Sequence, residues 1–566
     1  MGLGPIHPST ARPDSETRKL LESSYSAALK ARAERHRKRR EPPLIRLWQP
    51  SDDLGLELRG RVTAEYSGSF TWKHNDTGSG ELVLPADHHL AKWLSHWWKR
   101  GRKNVVITVD KDGARWSGIL SDVKTTYTED QDAYVTATFL HDYEQLKHLP
   151  VWANPLTPAG VQFPKTFQLY GPAAYILKVT LFLNLFRQFG SLWQLPDDPL
   201  NPKTWITGLN YKQWPILVKP KSVFMDETPL RYLHARFTNF HDLAKPLLDD
   251  CRMMVEVRRW FIGDPQPWPG AGLNRNGQII VDIVDKSGWW DQTATGGTLA
   301  HGLLRTGLEV ADNLVDEVRT ALERPADAPE YSVSGFLGVA PKQPWVVYRV
   351  SGQTNTAVSA EYSYSPATVG QITVGGRSAP GVNETMSATS KLIFNLLGSF
   401  ILQPGLGSVV DTALAPLYED TLLAFMSVKS PLRTRQLGWG HLMENFQKGG
   451  DQAYTLSSLI ALRKGFRETR EMVGHKIQIA DGAPYLIGDQ GKGHFFLGDR
   501  IGSEAPATRD GHVDVGYVSE LVLSWSADHP HEWQATIGEF PDTDPVEWAL
   551  GQVRELSAGL QELGLL

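Results

Sequence analysis

Tight turns recur so often in this chain that most of it can fold only as short elements. Asn75-Asp76-Thr77-Gly78 separates Ser69–Lys73 from Glu81–Leu84, and Asp112-Gly113 separates Val105–Val109 from Trp116–Val123. The second is a two-residue hairpin signal, because a tight turn between twisted strands needs residues that accept left-handed backbone. The runs on either side alternate or cluster apolar residues as strands do. Leu44–Trp48, Leu56–Ala64 and Ala133–Phe139 complete a strand-rich block over 44–145. One helix interrupts it after Pro85: Leu90, Trp93, Leu94 and Trp97 fall at i, i+3, i+4, i+7, with Asp87 placed to cap it.

A second block of this kind spans 474–543. Lys476–Ile479 and Pro484–Ile487 flank Asp481-Gly482, and Val513–Trp525 is a long strand with Trp533–Ile537 pairing back. Gly498, Asp499, Arg500 and Gly502 form the candidate bend of this block, at positions where glycine relieves backbone strain. The expected fold is therefore α+β and β-rich: two small antiparallel β-barrels with smaller α/β domains and helical insertions. With 51 glycines and 36 prolines in 566 residues, a helical bundle is disfavoured.

Residues 146–290 read as a mixed α/β domain. Ala173–Phe189 predicts a helix, and so does Asp226–Asp250, with Asp226 as cap, Pro229 in the first turn and Leu230, Leu233, Phe237 and Phe240 on one face. Met253–Phe261 and Gln278–Val284 predict a hairpin with a long loop. Residues 291–473 read as an insertion with helices at Thr298–Glu323 and 453–470, and short strands at Trp345–Val350, Ser359–Tyr364 and Gln371–Val374. Residues 544–566 read as a C-terminal helix.

Within the insertion, 386–428 is the most apolar part of the chain, and 391–428 its candidate hairpin. Leu392, Ile393, Phe394, Leu396, Leu397, Phe400, Ile401 and Leu402 are interrupted only by Asn395, Gly398 and Ser399; Gln403-Pro404-Gly405 then turns the chain before Leu414–Val428. The pattern predicts a helical hairpin, and neither half reaches the roughly 20 residues that cross a bilayer. Two readings stand: a plug packed within an assembly, or an element that meets a membrane.

The N-terminal arm, 1–43, favours helix over Ser15–Arg40, carries a basic run from Ala31 to Arg40, and stops at Pro42-Pro43. It is either a docking arm or a solvated tail. The whole chain has 58 Lys and Arg against 63 Asp and Glu, a net charge of −5, so no overall basic footprint for nucleic acid exists. The lone Cys251 excludes a disulfide framework and a cysteine-only zinc site, and its place beside an apolar strand reads as a small buried hydrophobe. The opening residues contain no apolar signal-peptide core.

Motifs for chemistry fail one by one. Gly488-Asp489-Gln490-Gly491-Lys492-Gly493 lacks the Ser/Thr and the first glycine of a phosphate loop. Gly376-Arg377-Ser378-Ala379-Pro380 ends in proline where a nucleophile elbow needs glycine. His88, His89 and His96 have no glutamate at zinc-protease spacing. Asp249-Asp250 reads as a solvated helix end, and Trp439, His441 and Glu444 as a polar patch. No catalytic, cofactor or metal residue is nominated.

Four longer stretches carry a resemblance. Phe70-Thr71-Trp72-Lys73-His74-Asn75-Asp76-Thr77-Gly78 with Glu81–Pro85 is the first, and Val374–Glu384 the second. Gly438-Trp439-Gly440-His441 with Ala453–Leu459 is the third, and Gly482-Ala483-Pro484-Tyr485 with Gly493–Gly502 the fourth. Together they resemble minor tail proteins of actinobacterial siphophages, from about residue 44 to 548. The resemblance implies a phage tail hub-like fold and a structural, non-enzymatic role in the virion at the tail tip. It implies a homotrimeric baseplate hub in which six barrels match a sixfold tube. The hub would be assembled in the host cytoplasm beside the distal tail protein ring, the tape measure protein and other minor tail proteins. The host membrane is a further candidate partner through 391–428; no specific nucleic-acid recognition and no cofactor are implied. The chain ends soon after the second block, which leaves no room for an appended receptor-binding domain. The rival expectation is a polysaccharide-binding or cell-wall-hydrolysing tail enzyme, using exposed tryptophans among Trp97, Trp98, Trp268, Trp289 and Trp290 to stack on sugars.

Overall fold

The computed structural model describes residues 15–51, 54–128, 133–190, 193–196, 198–289, 297–303, 305, 344–348, 358–376, 424–448, 461–462, 464–466, 468–470, 472–480, 482–503 and 514–538. The first block folds as read, with β1 (Leu44–Ser51), β2 (Gly55–Val62), β3 (Ser67–Lys73), β4 (Ser79–Pro85), β5 (Val106–Lys111), β6 (Ala114–Tyr127) and β7 (Ala133–His141). In β3 and β4 alternate residues point inward, so Phe70, Trp72, Leu82 and Leu84 are buried while their neighbours reach outward. Asp112 and Gly113 both take positive φ, +49° and +81°, as the β5–β6 hairpin requires.

Helix α1 spans Ser15–Arg40, as the sequence predicts, and α2 spans His89–Ser95. The cap of α2 is His88, not Asp87: its Nδ1 accepts the Leu90 N–H at 3.2 Å. Leu90 and Leu94 are buried, but the helix stops before Trp97, which lies in a 3₁₀ turn with its ring 59% exposed. The expected apolar stripe is one turn too long.

The middle region holds α3 (Glu144–Lys147), β8 (Pro150–Val151), β9 (Phe167–Pro172), α4 (Ala173–Phe189), α5 (Pro202–Thr207), β10 (Ile216–Val218), β11 (Leu230–Ala235), β12 (Thr238–Asn239), α6 (Phe240–Asp250), β13 (Met253–Trp260) and β14 (Gln278–Asp285). α4 and the β13–β14 hairpin match expectation. The long helix predicted over Asp226–Asp250 does not form. Its first half is β11, antiparallel to β9, and only Phe240–Asp250 is helical. β11 is buried on both faces, so Leu230 and Leu233 show helix-like spacing without helical geometry. Phe237, at φ +58°, turns the chain between strand and helix.

Beyond it lie β15 (Val347–Tyr348), β16 (Val358–Ser365), β17 (Val369–Gly375), β18 (Phe425–Lys429), β19 (Leu442–Gln447), β20 (Met472–Ala480), β21 (Arg500–Ser503), β22 (Asp514–Ser526) and β23 (Glu532–Gly538). Pro484–Ile487 is not a strand; the chain passes a turn there and Ile487 makes only a single bridge to Phe495. β18 replaces the end of the predicted second apolar helix, because Phe425–Lys429 pairs with β17. Of the predicted helices at Thr298–Glu323 and 453–470, residues 299–303, 305, 461–462, 464–466 and 468 are helical, and most of the remainder lies outside the described residues. The predicted helix over 544–566 lies wholly outside them.

The two strand-rich blocks do not stand apart. Their strands form one sheet, in the order β16-β20-β23-β22-β3-β4-β7-β6-β5-β1-β2, with β15 and β21 branching from β22. The junction is an antiparallel ladder from Lys73↔Glu520 to Ser67↔Ser526. One hydrophobic core serves both blocks, with Ile45, Phe70, Trp116 and Phe139 joined to Ile477, Phe495, Leu521 and Trp533. The β-rich α+β class holds. Among the described residues the strands of the two blocks join in one continuous sheet, the edge of each block being satisfied by the other.

Candidate functional site

The three parts of the chain meet at one seam, which contains a cleft of about 230 Å³. The turn after β3 builds one wall. Asn75 sits at φ +48° and is buried; its Nδ2 donates to the Met253 carbonyl at 2.8 Å and its Oδ1 accepts the Val255 N–H at 2.9 Å. A side-chain amide thereby takes the place of a neighbouring strand on the free edge of β13. Gly78 closes the same turn, where a Cβ would meet the Thr71 carbonyl oxygen at 1.7 Å.

The β5–β6 hairpin forms the second contact. Asp489 N donates to the Asp112 carbonyl at 3.0 Å, Trp533 Nε1 to Asp112 Oδ2 at 3.1 Å, and Arg258 Nη1 to the Gly113 carbonyl at 3.0 Å. The glycine-rich stretch 488–493 is thus a docking loop for a hairpin. Its turn glycines serve geometry, as in Gly491 at φ +74°.

Charged groups in the seam are committed to one another. Arg259 donates from Nε and Nη2 to both oxygens of Asp142 at 2.7 and 2.6 Å, and from Nη1 to the Gly277 carbonyl at 2.7 Å. Ser117 also donates to Asp142. Arg115 bridges Asp110 and Asp264, and Arg258 lies 3.4 Å from Asp489. Lys286 reaches Asp499 at 2.8 Å and Glu256 at 3.6 Å. Burial alone would lower the Lys286 ammonium, but Asp499 and Glu256 outweigh it and hold its pKa above the usual value. Burial pushes the Glu256 carboxyl up against the opposing pull of Lys286. His74 and His141 are driven down to about 4, first by burial, then by Lys286 and Lys245 for His74, while Asp142 partly opposes the shift of His141. Such pairing locks the parts of the chain together.

Gly498 takes left-handed backbone. Its φ is +77°, and a Cβ there would lie 2.7 Å from Met254 Sδ. Asp499 accepts from Lys286 and from the Phe496 N–H at 2.8 Å. Arg500 and Gly502 belong to β21, where Gly502 N donates to the Val346 carbonyl at 2.9 Å. Leu392, Ile393, Phe394, Leu396, Leu397, Phe400, Ile401 and Leu402 lie outside the described residues.

Asp250 is not solvated: it is buried and bonded to Arg231 Nε at 2.7 Å. Burial raises the Asp249 pKa, with Lys245 and the Asn75 hydrogen bond opposing. Cys251 is buried, as read. Glu444 is engaged by Gln371 Nε2 and Thr373 Oγ1, both at 3.0 Å, beside a fully exposed Trp439. Trp98 is 58% exposed; Trp268 packs against the middle core, and Trp289 lies under the Arg305 guanidinium. No group of His, Cys, Asp and Glu arranged to hold a metal ion exists among the described residues. Sequence reasoning missed Asn75, read only as a turn residue, and the Asp142–Arg259 pair, which are 117 positions apart and leave no local signal.

Comparison with known proteins places this geometry in a lineage. The chain is 33% identical over 582 aligned positions to Minor tail protein Gp28 of Mycobacterium phage L5, covering 94% of this chain and 97% of that protein. It is 32% identical over 581 positions to Minor tail protein Gp28 of Mycobacterium phage D29, with the same coverage. Among solved structures, the prophage MuSo2 43 kDa tail protein from Shewanella oneidensis matches with a TM-score of 0.36 and 9% identity, covering 89% of this chain and 99% of that one. The family model described as Siphovirus ReqiPepy6 Gp37-like protein matches residues 44–539, so the chain belongs to that family, as its resemblance to siphophage minor tail proteins implies.

Proposed function

We propose that this chain is a structural minor tail protein of a siphophage and forms the hub of the tail tip as a homotrimer. The observation that carries the reading is its full-length kinship with proteins named minor tail proteins. The fold supplies a physical basis. The sheet path ends on β2 and on β16, each paired on one side only within that path. Such edges pair readily with a neighbouring subunit and give rigid, directional contacts. Three copies, each bringing both halves of its sheet, suit a sixfold tube. In this reading the hub closes the tube below the distal tail ring, contacts the tape measure protein and other minor tail proteins, and opens for DNA delivery. Assembly takes place in the host cytoplasm. The segment 391–428 plugs the lumen and, on opening, is free to meet the host membrane.

The seam supports a load-transmitting role, since its ion pairs tie sheet, middle region and the 488–499 loop into one body. The chain acts without cofactor or catalysis. Co-purification with the tail ring proteins tests the reading, and robust digestion of host wall material by the purified chain would replace it with the enzyme reading that exposed Trp97 and Trp98 invite.

A further inference from the structure

The net charge of −5 conceals a division: residues 1–43 carry +5 and the rest of the chain −10. Asymmetry of this kind marks an arm with an anionic partner. The segment lies before the family match, which begins at residue 44.

Helix α1 carries this charge away from the body. Its last turn is tied to the body. Lys111 Nζ, buried in the sheet, donates to the carbonyls of Lys38, Arg39 and Glu41 at 3.4, 3.1 and 2.7 Å. A cation there satisfies carbonyls that the helix end leaves unpaired and meets the negative end of its dipole. Arg39 Nη2 donates to the Tyr485 carbonyl at 2.8 Å. Farther out, Lys19, Leu20, the residues from Glu22 to Ala27, Leu29 and Lys30 are exposed.

The exposed cations are ordered. At about 100° per residue, Lys19, Lys30 and Arg37 fall within about 20° of one line, which runs for about 27 Å. Lys38 and Arg40 flank that line, and Arg39, the residue bonded to the body, lies nearly opposite it. Among the described residues of α1, Tyr25 and Leu29 share a side, and Leu20 lies about 140° from Tyr25. The described apolar side chains of α1 thus offer a bilayer no continuous surface. A protein partner needs an apolar centre, which the cationic line lacks. Backbone phosphates need only the charges.

We infer that α1 is a sequence-independent nucleic-acid arm, in which Lys19, Lys30, Arg37, Lys38 and Arg40 contact the phosphates of DNA. The body, at −10, repels the same polyanion, so binding is confined to the arm and DNA is not held elsewhere.

The test uses the full chain and a fluorescent duplex of about 30 base pairs, titrated by anisotropy from about 50 to 200 mM salt. The wild type is compared with Lys30→Gln/Arg37→Gln/Lys38→Gln/Arg40→Gln, which leaves Arg39 and Lys111 in place. Each phosphate neutralised contributes about −0.9 to the slope of log K against log salt, so the slope falls by about 3 to 4 in the variant. Affinity at the lowest salt falls at least about tenfold. Arg37→Lys/Arg40→Lys retains both slope and affinity, because charge is what is read. The inference is overturned by wild-type protein that ignores DNA at about 10 µM and about 50 mM salt, or by equal slopes in wild type and quadruple variant. It is also overturned if the quadruple variant changes subunit number without any loss of DNA binding, which assigns the arm to a second copy. Tighter binding to phosphatidylglycerol vesicles than to the duplex assigns it to a membrane instead.

Discussion

Replacing Asn75 by alanine removes two hydrogen bonds to the backbone of β13 that no other described group supplies. The Met253 carbonyl and the Val255 N–H, both on the free edge of β13, lose partners at 2.8 and 2.9 Å in a buried seam. Each unsatisfied backbone group costs about 1–3 kcal/mol. Alanine at φ +48° adds about 1 kcal/mol of backbone strain, which glycine avoids. Asn75→Ala should therefore cost about 3–7 kcal/mol, and Asn75→Gly about 1 kcal/mol less. Hydrogen exchange reads this locally: at 1.4 kcal/mol per decade, the Val255 amide should exchange about a hundredfold faster or more, while amides in α4 keep their rates. The expected order of thermal stability is wild type, then Asn75→Gly, then Asn75→Ala. If Asn75→Ala leaves Val255 exchange within about threefold of wild type, the amide is not what holds the sheet to β13, and the account of the seam is wrong.

Gly502→Val should impair assembly more than Ser503→Ala, scored by recovery of multimer on a sizing column, because valine adds a branched side chain at a buried strand position while alanine removes a single oxygen; equal effects remove the argument. His74 and His141 have folded pKa values near 4 against 6.5 when unfolded, so the unfolded chain binds protons first and their contribution is lost as pH falls from 6.5 toward 4. Each contributes at most about 2–3 kcal/mol over that window, and His74→Gln/His141→Gln should flatten the melting temperature against pH there; an unchanged profile contradicts it. Protonation of Glu256 and Asp249, whose folded pKa values are raised, works in the opposite sense and remains in the double variant. Leu396→Asp/Phe400→Asp should destabilise the multimer if 391–428 is a plug, and a peptide of those residues should bind liposomes if it also meets a membrane. A normally infective double mutant together with a peptide that ignores liposomes refutes both.

Much of the fold was legible because short-range chemistry decides it. The Asp112-Gly113 hairpin, the α4 stripe, the β13–β14 pair and the long β22 all follow from turns and period alone. Long-range pairing decides the rest. Nothing local in Ser67–Lys73 says that its partner begins at Glu520, so the two blocks read as separate bodies when they share one sheet and one core. β11 misled for a related reason: burial on both faces erases the alternation that marks a strand. In the seam, the glycine-rich loop and the bend at Gly498 were visible as punctuation, whereas the ion pairs between Asp142 and Arg259 or Lys286 and Asp499 depend on how distant segments dock.

The central claim is that three copies build the hub. Native mass measurement of the purified full chain at several concentrations tests it most directly. The account predicts a dominant species of about three times 63.1 kDa that persists on dilution, and the same count of three per tail in intact virions. A stable monomer at all concentrations, or six copies per tail, contradicts it.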